Sequence, residues 1–322
     1  MRPESTSVTL RPDLTATAQE YDEESAQRKF IAPVAAPIAV VGEQAATYPV
    51  MNRENFKKVD DVKRGEDGAY NRIVGEFGSR SYDTEDHGLE TPLDDRKAAR
   101  YRNWISFEQA MTRVLRFRMM MAWERRVAAL WSGLGLTNHN VDTAWSDKSN
   151  AKALSVDLAA AFNDLEDACG CDRSELTLII PRADYAELVE TDEIRNRIQY
   201  TYPGVQPAQL GAAQLASMLQ IKQVRIARSS YDSKAEGESE SMSQVWSAGV
   251  LYVALLAEPQ SPLEMPSACR TLIWPGDGAA DIPVVETYRD DRVRGDVLRV
   301  RDDTDEVATA EADLMAYQIT NT

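Results

Sequence analysis

An α+β fold is predicted by three features of the 322-residue sequence: one long helix, alternating helices and strands in the middle, and a run of strands near the end. The long helix is the stretch Tyr101–Trp131, which contains no Gly and no Pro to break it. Phe107, Met111, Val114 or Leu115, Met121, Ala128 and Trp131 recur at the three- and four-residue steps that place side chains on one face. At 1.5 Å per residue such a helix spans about 40 Å, and Gly133 and Gly135 lie just past its end. Arg113, Arg116, Arg118, Arg125 and Arg126 outnumber Glu108 and Glu124 along it. In a chain of net charge -16, their partners are expected among carboxylates of other segments or of neighbouring copies.

Taken in order, residues 1–29 are polar, with an acidic cluster at Asp22, Glu23 and Glu24, and such an arm needs neighbouring subunits to pin it. Phe30–Val41 is apolar, but Pro33 and Pro37 exclude a central helix or strand and predict an extended path across a surface. A strand-like stretch begins at Thr47–Met51. From Phe56 to Tyr82 the chain is charged and punctuated by Gly65, Gly68, Gly75 and Gly78, which predicts a surface loop or a two-stranded arm reaching onto a neighbour. Asp83, Glu85, Asp86, Glu90, Asp94 and Asp95 precede the long helix, where their charge suits its dipole.

Beyond the long helix, Ser155 is placed to cap a second amphipathic helix carrying Val156, Leu158, Ala159, Phe162 and Leu165 and closed by Gly170. Leu176–Ile180 reads as a buried strand, Pro181 opens a helix over Ala183–Val189, and a helix at Ala208–Leu219 and a strand at Lys222–Ala227 follow. The alternation over Leu154–Leu256 predicts a compact α/β or α+β unit. Ser229–Ser243 reads as an exposed loop, and Val245–Leu255 is strongly strand-forming. Pro259, Pro262 and Pro266 mark a crossing back to the first layer. Leu272–Trp274, Val284–Asp290 and Val297–Arg301 predict three strands of an antiparallel sheet, with Leu314–Ile319 as a last one. The long helix and this late sheet therefore flank an inserted domain.

Composition narrows the function. A hydrophobic share of 43% and a charged share of 27% are those of a soluble globular protein. No apolar run approaches the roughly 18 residues of a membrane span, and the N-terminus lacks the apolar core of a signal peptide, so the chain is expected to stay in the cytoplasm. A pI near 4.7 argues against direct binding to nucleic acid, although an acidic wall suits a container that holds DNA without sticking to it. Cys169, Cys171 and Cys269 are expected as buried or free thiols, and His87 and His139 belong to no metal-ligand pattern. There is no phosphate loop, no dinucleotide fingerprint at Gly133 and Gly135, and no nucleophile elbow. Asp302, Asp303, Asp305 and Glu306 lack the Gly of a calcium loop. Trp246, Trp274 and Tyr288 read as packed strand residues. No catalytic, cofactor or metal site is expected.

The order of segments resembles that of tailed-bacteriophage major capsid proteins. Phe30-Ile-Ala-Pro33 with Pro37 and Val40, then Tyr48-Pro-Val50, is similar to the family's N-terminal region, and the Arg-rich helix ahead of a small α/β domain is similar too. Leu178-Ile-Ile-Pro181, leading through Leu188 to Asp192-Glu-Ile-Arg-Asn-Arg-Ile-Gln-Tyr200 and Gly204-Val205, resembles the family's strand, helix and "Arg-Ile-Lys-Tyr" segment. Val245-Trp246, Tyr252, Leu272-Ile-Trp274, Glu286-Thr-Tyr288-Arg-Asp-Asp-Arg292 and Ala316-Tyr317-Gln-Ile319 complete the pattern. Thr191, Gln199 and Pro203 depart from it.

The resemblance implies the Hong Kong 97-type capsid fold: a peripheral domain of spine helix and long antiparallel sheet, an axial α/β domain, an extended loop and an N-terminal arm. Mapped here, the arm is residues 1–30, the extended loop 48–82, the peripheral domain 31–47, 83–150 and 270–322, and the axial domain 151–269. The expected function is a structural, non-enzymatic one: a major capsid subunit that forms pentamers and hexamers in an icosahedral shell around phage DNA. Such a virion protein is made in the bacterial cytoplasm and meets scaffold, portal and decoration proteins. The arm is too short to hold a scaffolding domain, so a separate one or none is expected. Phe56, Lys63, Arg64 and Tyr70 are the expected assembly contacts of the loop, and Arg116, Arg118, Arg125 and Arg126 those that pair with acidic segments. An encapsulin-like cargo shell shares the fold, and a soluble hydrolase using acidic residues is the rival from another class.

Overall fold

The computed structural model describes residues 9–19, 30–51, 63, 70, 72, 77–101, 106–201, 210–234, 237–263, 265–276, 283–292, 294–309 and 312–321. It starts with strand β1 (Thr9–Leu10) and helix α1 (residues 12–19), whose Leu14 and Ala18 are buried. Helix α2 (Ala32–Ala35) takes Pro33 in its first turn, where a missing N–H does no harm, and strand β2 (Ile38–Val40) follows. Strands β3 (Ala45–Met51) and β4 (Phe77–Asp83) pair as a hairpin, and β5 (Glu85–Asp94) leads through helix α3 (Asp95–Tyr101) to the long helix α4 (Phe107–Gly133). Then come β6 (Asn138–Asn140), a π-helical turn (Ala153–Leu158) running into α5 (Ala159–Cys169), β7 (Leu176–Pro181), α6 (Arg182–Glu190), α7 (Asp192–Thr201), α8 (Ala212–Leu219) and β8 (Gln223–Ala227). The chain ends with β9 (Ser230–Asp232), β10 (Met242–Gln244), β11 (Val250–Leu255), β12 (Cys269–Ile273), β13 (Val284–Asp290), β14 (Gly295–Ala308), α9 (Ala312–Met315) and β15 (Ala316–Thr320).

The long helix is present, but its buried stripe differs from the expected one. Thr112, Leu115, Arg116, Met119, Met120, Trp123, Glu124, Val127 and Trp131 are buried, whereas Val114 is 44% exposed and Met121 and Ala128 are half-buried. The reason is that α4 lies at a junction and packs on two sides. Leu115 and Met119 join Leu14, Ala18, Leu93, Val285, Leu298 and Val300 in one core, while Met120, Trp123, Val127 and Trp131 join Phe30, Ala32, Tyr252 and Cys269 in another.

A six-stranded sheet supports the helix, in the order β1-β13-β14-β12-β2, with β5 on the other flank of β14. β14 is its axis: Gly295 to Arg301 pair with β13, Thr304 to Ala308 with β12, and Gly295 to Thr304 with β5. β5 corrects the reading of the acidic stretch before the helix as a dipole-matched lead-in. Only Leu93 of its residues is buried, so its sequence carries no apolar alternation, and its ladder to β14 makes it a strand. Gly295 permits that ladder, because a Cβ there would stand 2.1 Å from the Leu93 carbonyl oxygen. Gly295→Ala should therefore cost about 2–4 kcal/mol by forcing β5 from β14, read as a lowered urea midpoint. An unchanged midpoint would contradict the close approach.

The second sheet has the order β6-β15-β11-β7-β8 and forms the largest core with α5, α6, α7 and α8. Here the last strand is a correction: expected with the late antiparallel sheet, β15 instead pairs with β11 from Val250↔Thr320 to Ala254↔Ala316. Its Tyr317 and Ile319 fill this core, which outweighs nearness in sequence. Ser155 does not cap a helix; it lies inside the π-helical turn, and Glu193 accepts the backbone N–H groups of Leu154 and Ser155 at 2.8 and 3.0 Å. The expected loop at Ser229–Ser243 holds the small β9–β10 hairpin, and β11 begins only after Gly249, whose φ is +80°. Cys169 and Cys171 are disulfide-bonded rather than free, the left-handed Gly170 between them bringing their Cα atoms to 5.2 Å. Cys269 is free, and burial pushes its thiol up to about 12, which keeps it unreactive.

Candidate assembly site

Four features around the long helix are built from the residues upward: a proline-bearing track, a buried carboxylate, ion pairs beneath the helix, and a two-stranded hairpin. The track is Phe30–Pro37. With two prolines it can enter no central ladder, so side chains of its neighbours satisfy its backbone. Glu124 accepts the N–H groups of Ile31 and Ala32 at 3.0 and 2.6 Å, the Trp131 indole donates to the Ala35 carbonyl at 3.2 Å, and the Thr271 hydroxyl donates to that of Ala36 at 3.1 Å. Phe30, Ile31, Ala32, Ala35 and Ala36 are buried.

Glu124 was not among the expected site residues. Its carboxylate is fully buried at 0% exposure and also accepts from the Ser229 hydroxyl at 3.0 Å and the Trp246 indole at 2.8 Å. Burial pushes its carboxyl up, and these four donors oppose the shift. One signal in the sequence points to it: it shares the 120, 124, 127, 131 spacing of the buried stripe.

Arg116 and Arg126 meet the acidic run of β14 in their own chain. Arg116 reaches Asp302 at 2.6 Å with side-chain exposures of 8% and 14%, and Arg126 grips both oxygens of Glu306 at 2.8 and 3.0 Å. Asp302 keeps its second oxygen, Oδ1, buried with no hydrogen bond. Among the described residues Asp305 has no such cation: burial pushes its carboxyl up, the Asp83 N–H opposes that, and Glu306, Asp83 and Glu85 add to it. Arg126→Glu should destabilise the chain by about 2–3 kcal/mol, and the exchange Arg126→Glu with Glu306→Arg should recover at least about 1 kcal/mol of it. Additive losses in urea titrations of the single and double variants would show the pair to be uncoupled.

Arg125 lies over the Tyr231 ring, 4.4 Å from its centroid, on the side of the β9–β10 hairpin, and Arg118 is exposed. Lys63 and Tyr70 are exposed, Tyr70 at 72%, while Phe56 and Arg64 lie outside the described residues. The expected residues thus fall in three places. The β3–β4 hairpin touches the body at its base, where Tyr48 and Tyr82 stand 6.2 Å apart beside Leu272, Ala39 and Val41, and the Asp83 N–H donates to Asp305 at 3.0 Å. Between α4 and the six-stranded sheet runs a groove of about 600 Å³, lined by Met119, Met120, Trp123 and Ile273 together with Arg116, Arg126, Asp302 and Thr304, and by exposed Val40 and Leu89. Among the described residues no cluster of three His, Cys, Asp or Glu side chains could hold a metal ion, and no helix is long and apolar enough to cross a membrane.

No sequence-family profile matches the chain, and no curated protein matches it by sequence. Solved structures do. A phage-related protein from Bordetella bronchiseptica superposes with a TM-score of 0.70 over 97% of this chain and 97% of its own, at 16% identity. The capsid structure of cyanophage P-SCSP1u gives 0.55 over 90% and 88% at 12% identity, and the bacteriophage PhiM1 mature capsid 0.53 over 91% and 87% at 11%. The chain has the phage capsid fold. Helix α4 is therefore its spine helix, and the α+β architecture expected from the order of segments is the one observed.

Proposed function

We propose that the chain is the major capsid protein of a tailed phage, a structural subunit that assembles into an icosahedral shell around double-stranded DNA and catalyses no reaction. The likeness to capsid chains carries this reading, since it covers 90% and 91% of the chain rather than one common motif. The single chain also leaves a hairpin that meets the body at its base, and a groove beside the helix that shows exposed Val40 and Leu89. Both suit contacts with further copies, where burial of apolar surface drives association.

In this reading residues 1–30 form the arm, whose β1 and α1 are held by β13 and the long helix of the same chain rather than by a neighbouring subunit, and 48–82 form the extended loop. Residues 31–47, 83–150 and 270–322 form the peripheral domain, apart from β6 and β15, which join the second sheet, and 151–269 the axial domain. Phe56, Lys63, Arg64 and Tyr70 contact adjacent subunits, Arg118 and Arg125 offer charge to acidic segments, and Arg116 and Arg126 hold β14 under the helix. The shell resides in the virion, is made in the host cytoplasm, and encloses DNA behind an acidic wall without specific contacts. Scaffold, portal and decoration proteins are its partners.

Expression of the chain alone, with negative-stain electron microscopy beside light scattering, tests the proposal. Closed megadalton particles, or rings of five and six, are expected. A stable monomer in assembly buffers, with a scaffold supplied, would overturn it. Particles that load a protein cargo in place of DNA would favour an encapsulin-like shell.

A further inference from the structure

Glu124 joins three stretches that are far apart in sequence, and its two oxygens divide them. Oε2 receives Ala32 N at 2.6 Å and Ile31 N at 3.0 Å, both on the N-terminal track. Oε1 receives the Trp246 indole at 2.8 Å and the Ser229 hydroxyl at 3.0 Å, with Ile31 N at 3.2 Å between the two sides. Ser229 directly precedes β9 and Trp246 follows β10, so the Oε1 side grips both ends of the β9–β10 hairpin. Three of the four donors are N–H groups that can only donate, and every one of them points at the same buried charge.

A desolvated carboxylate is tolerated only while its donors stay in place. If either side withdraws, the remaining donors face a charge that must turn, take up water or take up a proton. Each of those responses weakens the other side. We propose that Glu124 is a two-sided latch, which makes the seating of the N-terminal track on the spine helix and the seating of the β9–β10 hairpin one cooperative equilibrium. A pull on the hairpin is then felt at the track and a pull on the track at the hairpin, with equal coupling in both directions. Glu124 is a positioning residue in this scheme, and the inference concerns the single subunit, so it stands whether or not the capsid reading holds.

The test is amide hydrogen exchange on the full-length chain, followed in peptides covering residues 30–36 and 229–246. Pro33 contributes no amide, so the first peptide reports mainly the latched Ile31 and Ala32 and their helix. Trp246→Phe removes the indole N–H but keeps an aromatic ring beside Tyr252, and Ser229→Ala removes the other donor on that side. Both leave every track residue intact. Trp246→Phe should speed exchange over 30–36 by about tenfold, the effect of losing one hydrogen bond to a charged group, and Glu124→Gln should speed both peptides. Leu165→Ala, a cavity in the separate second-sheet core, serves as the control and should leave 30–36 unchanged relative to 229–246. Exchange over 30–36 within about twofold of the natural protein in Trp246→Phe, or equal acceleration in Leu165→Ala, would overturn the latch. If Glu124→Gln does not fold, Trp246→Phe and Ser229→Ala still decide the matter.

Discussion

Replacing residues 52–76 by a two-residue Asn-Gly turn should leave a folded subunit that no longer closes into particles. β3 and β4 pair in register from Ala45↔Asp83 to Met51↔Phe77, so the two ends to be joined already lie opposite each other, and Asn-Gly gives the turn such a pair needs. The contacts that hold the hairpin are kept, since Tyr48, Tyr82 and the Asp83–Asp305 hydrogen bond all lie below the cut. A shorter connection also lowers the entropy lost on closing it, by about 1–2 kcal/mol, so the urea midpoint should hold or rise slightly. Assembly should fall from closed shells to free subunits or small rings, because the segment removed is the one expected to reach a neighbour. Light scattering and electron microscopy on the same preparation read both halves of the result. Closed shells of normal size from the shortened chain would remove the hairpin tip from the assembly contacts. Loss of folding together with assembly would instead place the segment's role inside the subunit.

What the residues disclosed, and what they hid, follows from where each element gets its stability. The spine helix was legible because a long stretch with no Gly or Pro to break it also repeats apolar residues at three- and four-residue steps. The exact stripe was not, because a helix buried on two sides shows no single apolar face, and Met119, Met120, Trp123 and Val127 sit beside Arg116 and Glu124. β5 was hidden for the opposite reason: Glu85, Asp86 and Glu90 belong to a strand held almost wholly by its backbone ladder. β15 was recognised as a strand but placed in the wrong sheet, since its alternation of Tyr317 and Ile319 says that one face is buried and not against what. The Arg residues of the helix called for carboxylates, and Asp302 and Glu306 supplied them within the chain. Glu124 was counted only as a charge opposite the arginines, because its partners are backbone N–H groups, a hydroxyl and an indole, which carry no charge to signal them. The fold as a whole was legible from the order of segments resembling capsid proteins, a kind of information that periodicity does not contain.

Arg270→Met should be the most damaging single substitution at a side chain that no sequence pattern marks. Arg270 is 1% exposed, and among the described residues it pairs with no carboxylate. Its guanidinium donates instead to the carbonyls of Ser261, Pro262 and Met265 at 3.0, 2.9 and 2.7 Å, and to the Ser261 hydroxyl at 3.2 Å, while Nε is buried without a hydrogen bond. A buried cation held by backbone carbonyls and a hydroxyl is costly, and burial lowers its pKa, yet it sets the course of the proline-rich return from the second sheet to the first. That course matters one step further on, because the Gln260 N–H donates to the Ile38 carbonyl at 2.8 Å and so steadies β2 at the end of the sheet, next to the proline-bearing track. Methionine has nearly the length to fill the space but returns none of the hydrogen bonds. The expected loss is about 2–4 kcal/mol in urea unfolding, with new proteolytic cleavage between Glu258 and Ser267 while the rest of the chain stays protected. Arg270→Lys should recover less than half, since one ammonium cannot reach three carbonyls that the planar fork spans at once. If lysine restores both stability and protection, charge alone fixes the loop and the fork does not. If methionine leaves both unchanged, the loop is held by its prolines, and the buried arginine contributes nothing to the path between the two sheets.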